Sequence, residues 1–193
     1  MITNYGTLKT EVASWLNRTD LSDATLATFV QLAEGDIRND VRIRANETAL
    51  AGTVSALNWA LPSDLLEVRG IWIDETGYIY VNPEEYARRL EMQIDGYYTI
   101  IGDQIYVTSG VGDAYELLYY PSFAAFSVDA DTNSLLEKAP NVYLWAACKH
   151  GCTFTRDDAG FMLFDNRYQT AVGALNAIEK RGELGNSMVV RAA

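Results

Sequence analysis

The chain has 193 residues, 49% of them hydrophobic and 21% charged, which suits one globular domain or a domain with a sizeable insertion that folds without disulfides or metal. Its 15 Lys and Arg stand against 26 Asp and Glu, a net charge of −11, and that balance argues against nucleic-acid binding through clustered cations and against docking on an anionic membrane surface. No apolar run approaches the ~20 residues that span a bilayer. The opening Met1-Ile2-Thr3-Asn4-Tyr5-Gly6 has neither a basic nor an apolar signal region, and the two cysteines fit a reducing compartment, so synthesis in a cytoplasm is expected.

In chain order, Thr7 is a candidate cap for a first helix whose apolar positions Leu8, Val12, Trp15 and Leu16 recur at helical spacing. A polar break, Asn17 to Leu21, precedes a second helix capped by Ser22 or Asp23, with Leu26, Phe29, Val30, Ala33, Ile37 and Val41 on one stripe. Gly35 inside it costs about 1 kcal/mol relative to Ala and marks a kink or a close approach. From about Ala45 the period shortens. Leu50 to Val54 and Asn58 to Leu61 read as a hairpin, Leu66 to Ile73 as a strand, and Tyr78 to Val81 as another. Pro83 opens a short helix to Met92, with Tyr86, Leu90 and Ala87 as its inward candidates. Tyr97 to Ile101, Gln104 to Val107 and Tyr115 to Tyr120 complete the strands, with Gly102-Asp103 as a tight turn. After a loop from Pro121 to Thr132, Pro140 begins a helix to about Thr155. Arg156-Asp157-Asp158 breaks it, and a last helix spans about Ala159 to Arg181, with Phe161, Phe164, Tyr168, Val172, Leu175 and Ile178 along one face.

The expected fold class is α+β: a four-helix bundle with a small antiparallel β unit inserted between the two helical pairs. Residues 1–44 supply one pair, 45–132 the β unit with its short helix, 133–182 the second pair, and 183–193 a tail.

Candidate chemistry is sparse. Cys148 and Cys152 share a helix face and could begin a zinc site, but His150 lies on another side and no further Cys or His completes a tetrahedral set. Two buried small side chains and a partly exposed imidazole are the plainer reading, and no metal or cofactor is expected. Nucleophilic catalysis would have to converge on that single histidine, with no nucleophile elbow nearby. Glu84-Glu85 and Asp157-Asp158 sit where helices begin, where carboxylates favour the helix dipole. Gly102, Gly110 and Gly112 form no phosphate-binding fingerprint. Most of the 12 tyrosines fall in the β segment, where cross-strand packing explains them better than a stacking surface. The tail Met188-Val189-Val190-Arg191, apolar with one cation, reads as a segment that docks on a partner or packs on its own subunit.

The order of several segments resembles the head-to-tail adaptor (connector) proteins of short-tailed and related bacteriophages. The residues are Tyr5-Gly6-Thr7-Leu8-Lys9 and Ser14-Trp15-Leu16-Asn17-Arg18-Thr19-Asp20-Leu21, then Leu32-Ala33-Glu34 with Ile37-Arg38-Asn39-Asp40-Val41-Arg42. Ala60-Leu61-Pro62-Ser63-Asp64-Leu65-Leu66-Glu67-Val68-Arg69, Tyr98 to Ile105, Tyr115 to Tyr120 and Tyr143-Leu144-Trp145-Ala146-Ala147 follow.

That resemblance implies a structural virion protein at the head-tail junction and no enzyme. It implies a homo-oligomeric ring, commonly a dodecamer, that joins the portal protein to the tail nozzle or tube protein and lines a channel through which genome DNA passes without specific binding. It implies portal contacts for Met188, Val189, Val190 and Arg191. Arg38, Arg42 and Arg44 are candidates for pairing with acids of the next subunit, or for ordinary solvated cations. The competing readings are a carboxylate-dependent cell-wall glycan hydrolase and a cytosolic module that holds a ligand in its tyrosine-rich β unit.

Overall fold

The computed structural model describes residues 1–43 and 46–185. The chain divides into two units, one built from 1–46 and 123–193 and the other from 47–122.

The first unit is helical. α1 (Tyr5–Trp15) starts in a reciprocal capping box: the Thr7 N–H donates to Asn4 Oδ1 at 2.9 Å, and the Asn4 N–H donates to Thr7 Oγ1 at 3.0 Å. Thr7 is thus the third helical residue rather than the cap. α2 (Asp23–Asp40) is capped by Ser22. Its stripe Leu26, Phe29, Val30, Ala33 and Ile37 is buried, together with Val41 just past its end. α4 (Ser134–Lys138), capped by Asn133, is a one-turn helix that sequence periodicity is too short to reveal. α5 (Pro140–Thr155) starts at the expected proline and stops at Arg156, which takes the left-handed conformation. α6 (Asp158–Gly185) follows at once, the Gly160 N–H donating to Asp157 Oδ1 at 2.9 Å.

α5 organises this unit. Its buried residues are Val142, Tyr143, Leu144, Ala146, Ala147, Cys148, Lys149, Gly151 and Cys152, which occupy every side of the helix instead of one stripe. α1, α2, α4 and α6 all pack against it. Gly151 lets the end of α1 approach closely: a Cβ there would displace the tip of the Leu16 side chain. The loop before α4 closes the core, with the Phe126 ring stacked on Tyr5 at 5.2 Å and tilted against Tyr143 at 5.1 Å.

The second unit is a single seven-stranded sheet in the order β1-β7-β3-β4-β5-β6-β2. Its strands are β1 (Thr48–Thr53), β2 (Asn58–Ala60), β3 (Leu65–Ile73), β4 (Thr76–Tyr80), β5 (Tyr97–Ile101), β6 (Gln104–Val107) and β7 (Ala114–Pro121), with α3 (Pro83–Glu91) between β4 and β5. That crossover helix makes β4 and β5 parallel, and every other pair is antiparallel. β4 is shared along its length: its first residues pair with β3, and Ile79 and Tyr80 pair with β5. The sheet turns at that point, and β3 adds two register shifts of its own. As a result Trp59 of β2 stacks on Tyr115 of β7 at 4.8 Å, although four strands lie between β2 and β7 in the sheet order. The curled sheet, a half-barrel, buries Val54, Ile71, Ile73, Tyr98, Ile105, Val107, Leu117 and Tyr119 on its concave side.

These observations correct the sequence expectation of a four-helix bundle carrying a small antiparallel β unit. The chain is α+β with six helices among the described residues and a seven-stranded curled mixed sheet. A bundle shares a central seam among its helices, whereas here the centre is itself a helix. The expected hairpin of residues 50–54 and 58–61 does not form either, since β1 and β2 lie at opposite edges of the sheet. On α3 only Tyr86 is buried, and Ala87 and Leu90 stay exposed.

Gly35 meets no neighbour: it is exposed, and a Cβ there would face open space. Gly35→Ala should therefore raise stability by about 1 kcal/mol in urea titration. In the half-barrel, Thr99 is fully buried and its hydroxyl has no hydrogen-bond partner. The isosteric Thr99→Val should match or exceed the parent by up to about 1 kcal/mol, read as an unchanged or higher denaturation midpoint.

Candidate functional site

The cysteine and histidine cluster that sequence spacing singles out is absorbed into the helical core. Cys148 is fully buried, and desolvation, with a smaller contribution from Cys152, pushes its thiol up to about 12. Burial raises the Cys152 thiol as well, so neither is a ready thiolate at neutral pH. His150 Nε2 lies 2.9 Å from Asp36 Oδ2 on α2. Among the described residues no group of three or more His, Cys, Asp or Glu is arranged to hold a metal ion.

What this region builds is a charge network across three helices. Lys149, nearly buried, reaches Asp36 Oδ2 at 2.8 Å and Asp165 Oδ1 at 3.5 Å, and its ammonium sits 4.7 Å from the centre of the Tyr168 ring. The Tyr168 hydroxyl donates to Asp40 Oδ2 at 2.9 Å. Burial alone would raise the Asp36 carboxyl, but the hydrogen bonds from Lys149 and His150 outweigh it and hold the group below the ordinary carboxylate value. Lys9 plays a similar part on α1, its ammonium 2.6 Å from Asp23 and 2.8 Å from Asp129. Desolvation opposes its charge, yet the two carboxylates more than compensate, and its pKa is raised.

The acidic pairs serve as helix starts. Glu85 receives Arg88 at 3.1 Å and Arg89 at 2.6 Å within α3, and Asp157 caps α6. The tyrosines are packing residues: Tyr98 and Tyr119 are in the half-barrel core, Tyr97 lies under Arg89 at 4.4 Å, and Tyr78 meets Ser109 at 2.9 Å. Gly102, Gly110 and Gly112 hold positive φ in the turns around β6. Of the interface candidates, Arg38 is exposed at the end of α2. Arg42 lies past that helix and folds its guanidinium back onto the carbonyls of Arg38 and Val41 at 2.8 and 2.9 Å. Arg44, and the tail residues Met188, Val189, Val190 and Arg191, lie outside the described residues.

Two surfaces stand out that sequence reading does not isolate. The first is at the junction of α5 and α6, where Phe154 is 62% exposed, Met162 72% and Leu163 51%, with Phe161 beside them. Large apolar side chains exposed close together in sequence make this a candidate contact surface. Phe161 was expected inside. It lies in the first turn of α6 and is 38% exposed. The second is on the convex face of the half-barrel, an open groove of about 680 Å³ whose lining includes Ala51, Trp72, Asp74, Glu75, Glu116 and Leu118. Neither surface brings together a nucleophile, a base and an oxyanion site. No helix among the described residues is long and apolar enough to cross a membrane.

Asp36→Asn should cost about 2–3 kcal/mol at neutral pH, because it leaves the buried Lys149 with only the longer Asp165 contact. A carboxylate with a lowered folded pKa stabilises above its unfolded value near 4, and that stability fades as pH falls through the folded value. Urea titrations of parent and variant should therefore differ at pH 7 and converge toward pH 3.

The model of the SU10 adaptor protein family matches residues 3–191. No curated protein matches the chain at a significant level. The chain belongs to the SU10 adaptor protein family. It is a bacteriophage adaptor, a structural protein of the virion that works between head and tail components, as the sequence resemblance indicates.

Proposed function

We propose that copies of this adaptor close into a ring that joins the capsid portal to the tail nozzle or tube and lines the channel for the genome. The ring resembles the twelvefold collars of head-to-tail connectors. Family membership sets the class of function. The single observation that carries the ring is the exposed apolar surface of Phe154, Met162 and Leu163, which an isolated subunit leaves in water and a neighbouring subunit would cover. Arg38 and its neighbours Arg42 and Arg44 supply cations at the end of α2 for acids of the adjoining copy. The segment Met188-Val189-Val190-Arg191 supplies an apolar, singly charged stretch of sequence for the portal.

Charge shapes both assembly and passage. A net charge of −11 on each subunit makes free copies repel, so the isolated protein is monomeric at physiological salt and assembles on its portal template. The same excess along a channel wall repels phosphates and keeps DNA from adhering during ejection.

The test combines the purified protein with its portal, followed by sedimentation and electron microscopy. Met162→Asp with Leu163→Asp should leave helix content and thermal stability within about 0.5 kcal/mol of the parent, since both side chains face solvent in the monomer. The same pair should abolish ring formation on the portal. Undisturbed rings, or stable rings of the parent without portal, would overturn the reading. Deletion of residues 186–193 separately tests the portal anchor, with loss of attachment expected.

A further inference from the structure

The convex groove follows from which residues the sheet register puts on one face. Trp72 pairs across to Glu116 on β7 and to Gly77 on β4, Ala51 of β1 faces Glu116, and Gly70 faces Leu118. Because side chains alternate along a strand, this row shares the face opposite the buried Ile71, Ile73 and Leu117. Small residues therefore flank large ones. The Trp72 indole lies down over Gly70, where a Cβ would collide with it, and its Nε1 is 3.5 Å from where a Cβ on Gly77 would be. The indole remains 38% exposed. The result is a trough with an aromatic and aliphatic floor, bordered by Asp74, Glu75 and Glu116. Among the described residues none of these three carboxylates meets a cation.

The trough opens directly onto a free strand edge. β1 pairs with β7 on one side only, and no described residue pairs with the outer edge of residues 49–53. The strand, Thr48-Ala49-Leu50-Ala51-Gly52-Thr53, is exposed along its length. It carries no charge, proline or bulge of the kind that normally blocks edge-to-edge pairing.

We propose that this edge and trough receive an extended basic segment of another protein, which adds as a strand beside β1 and lays arginine or lysine side chains across Ala51 toward Glu116, Glu75 and Trp72. The dimensions agree: a strand added outside β1 lies roughly 10 Å from β7, two strand spacings away. The small Ala51 leaves room for a long aliphatic stem, and its cationic head reaches toward Glu116 on the next strand, with Trp72 and Glu75 deeper along the trough. Charge selects the occupant, because a second copy of this acidic chain would bring net negative charge to a negative rim. Main-chain pairing supplies affinity and the alternate cationic positions supply specificity. The inference rests on the groove itself and holds whether or not the subunits close into a ring.

The probe is a synthetic octapeptide alternating valine and arginine, with a valine-glutamate counterpart, titrated at 150 mM salt into the full chain by fluorescence anisotropy. The arginine peptide should bind at least tenfold more tightly than the glutamate peptide and should slow amide exchange at residues 49–53. Glu116→Lys with Glu75→Lys should weaken it at least tenfold, and Trp72→Ala should also weaken it. Glu84→Lys with Glu91→Lys on α3, the same change in net charge away from the groove, should have little effect. All three variants change exposed side chains, and circular dichroism verifies folding. No binding to the parent, equal loss in the α3 variant, or absence of protection at residues 49–53 would each overturn the proposal. So would a concentration-dependent dimer of the parent that Trp72→Ala dissolves, which would assign the groove to a second copy.

Discussion

The helical unit depends on the burial of α5 from every side. Over the stretch from Val142 to Cys152 this helix is enclosed, with Thr153 and Phe154 exposed beyond it, so a polar group buried in that stretch must be matched from a neighbouring helix. Lys149 is the consequence: it draws Asp36 from α2 and Asp165 from α6 onto one ammonium, with the Tyr168 ring beneath it. His150 is committed to the same carboxylate, and the thiols at 148 and 152 are filling volume rather than presenting nucleophiles. Residues that look like chemistry on a linear reading are thus the means by which three helices are held in register.

In the β unit the corresponding constraint is the division of β4 between two partners. A flat seven-stranded sheet would expose both faces of every strand. By turning at β4 the sheet closes its concave face on itself, and the Trp59–Tyr115 contact marks how far the curl proceeds. The convex face then has to be soluble or covered. It is neither uniformly polar nor shielded by charge on its edge, and that is the physical basis for treating it as a surface for partners.

The distribution of charge links these features to an adaptor's work. Many of the described cations are taken up within the chain: Lys9 and Lys149 in the helical core, Arg18 by Asp20, Arg69 by Glu47, Arg88 and Arg89 by Glu85, and Arg167 over the rings of Trp15 and Trp145. What remains at the surface is weighted toward carboxylates. Such a surface repels others of its own sign and favours partners of the opposite sign.

Hydrophobic period and end signals were enough to place the long helices and most strands, because these are local properties: Ser22, Pro83, Pro140 and Asp157 mark their ends whatever surrounds them. The adaptor resemblance was also legible, resting on the order of short segments. The register that sends β1 and β2 to opposite edges, the encirclement of α5, and the exposure of Trp72, Met162 and Leu163 were not. Each depends on which residues, distant in sequence, come to face one another, and an apolar side chain reads the same in the chain whether a neighbour covers it or water does. Sequence decided the elements and the class of protein, and tertiary packing alone decided which of its apolar and charged groups were left over for partners.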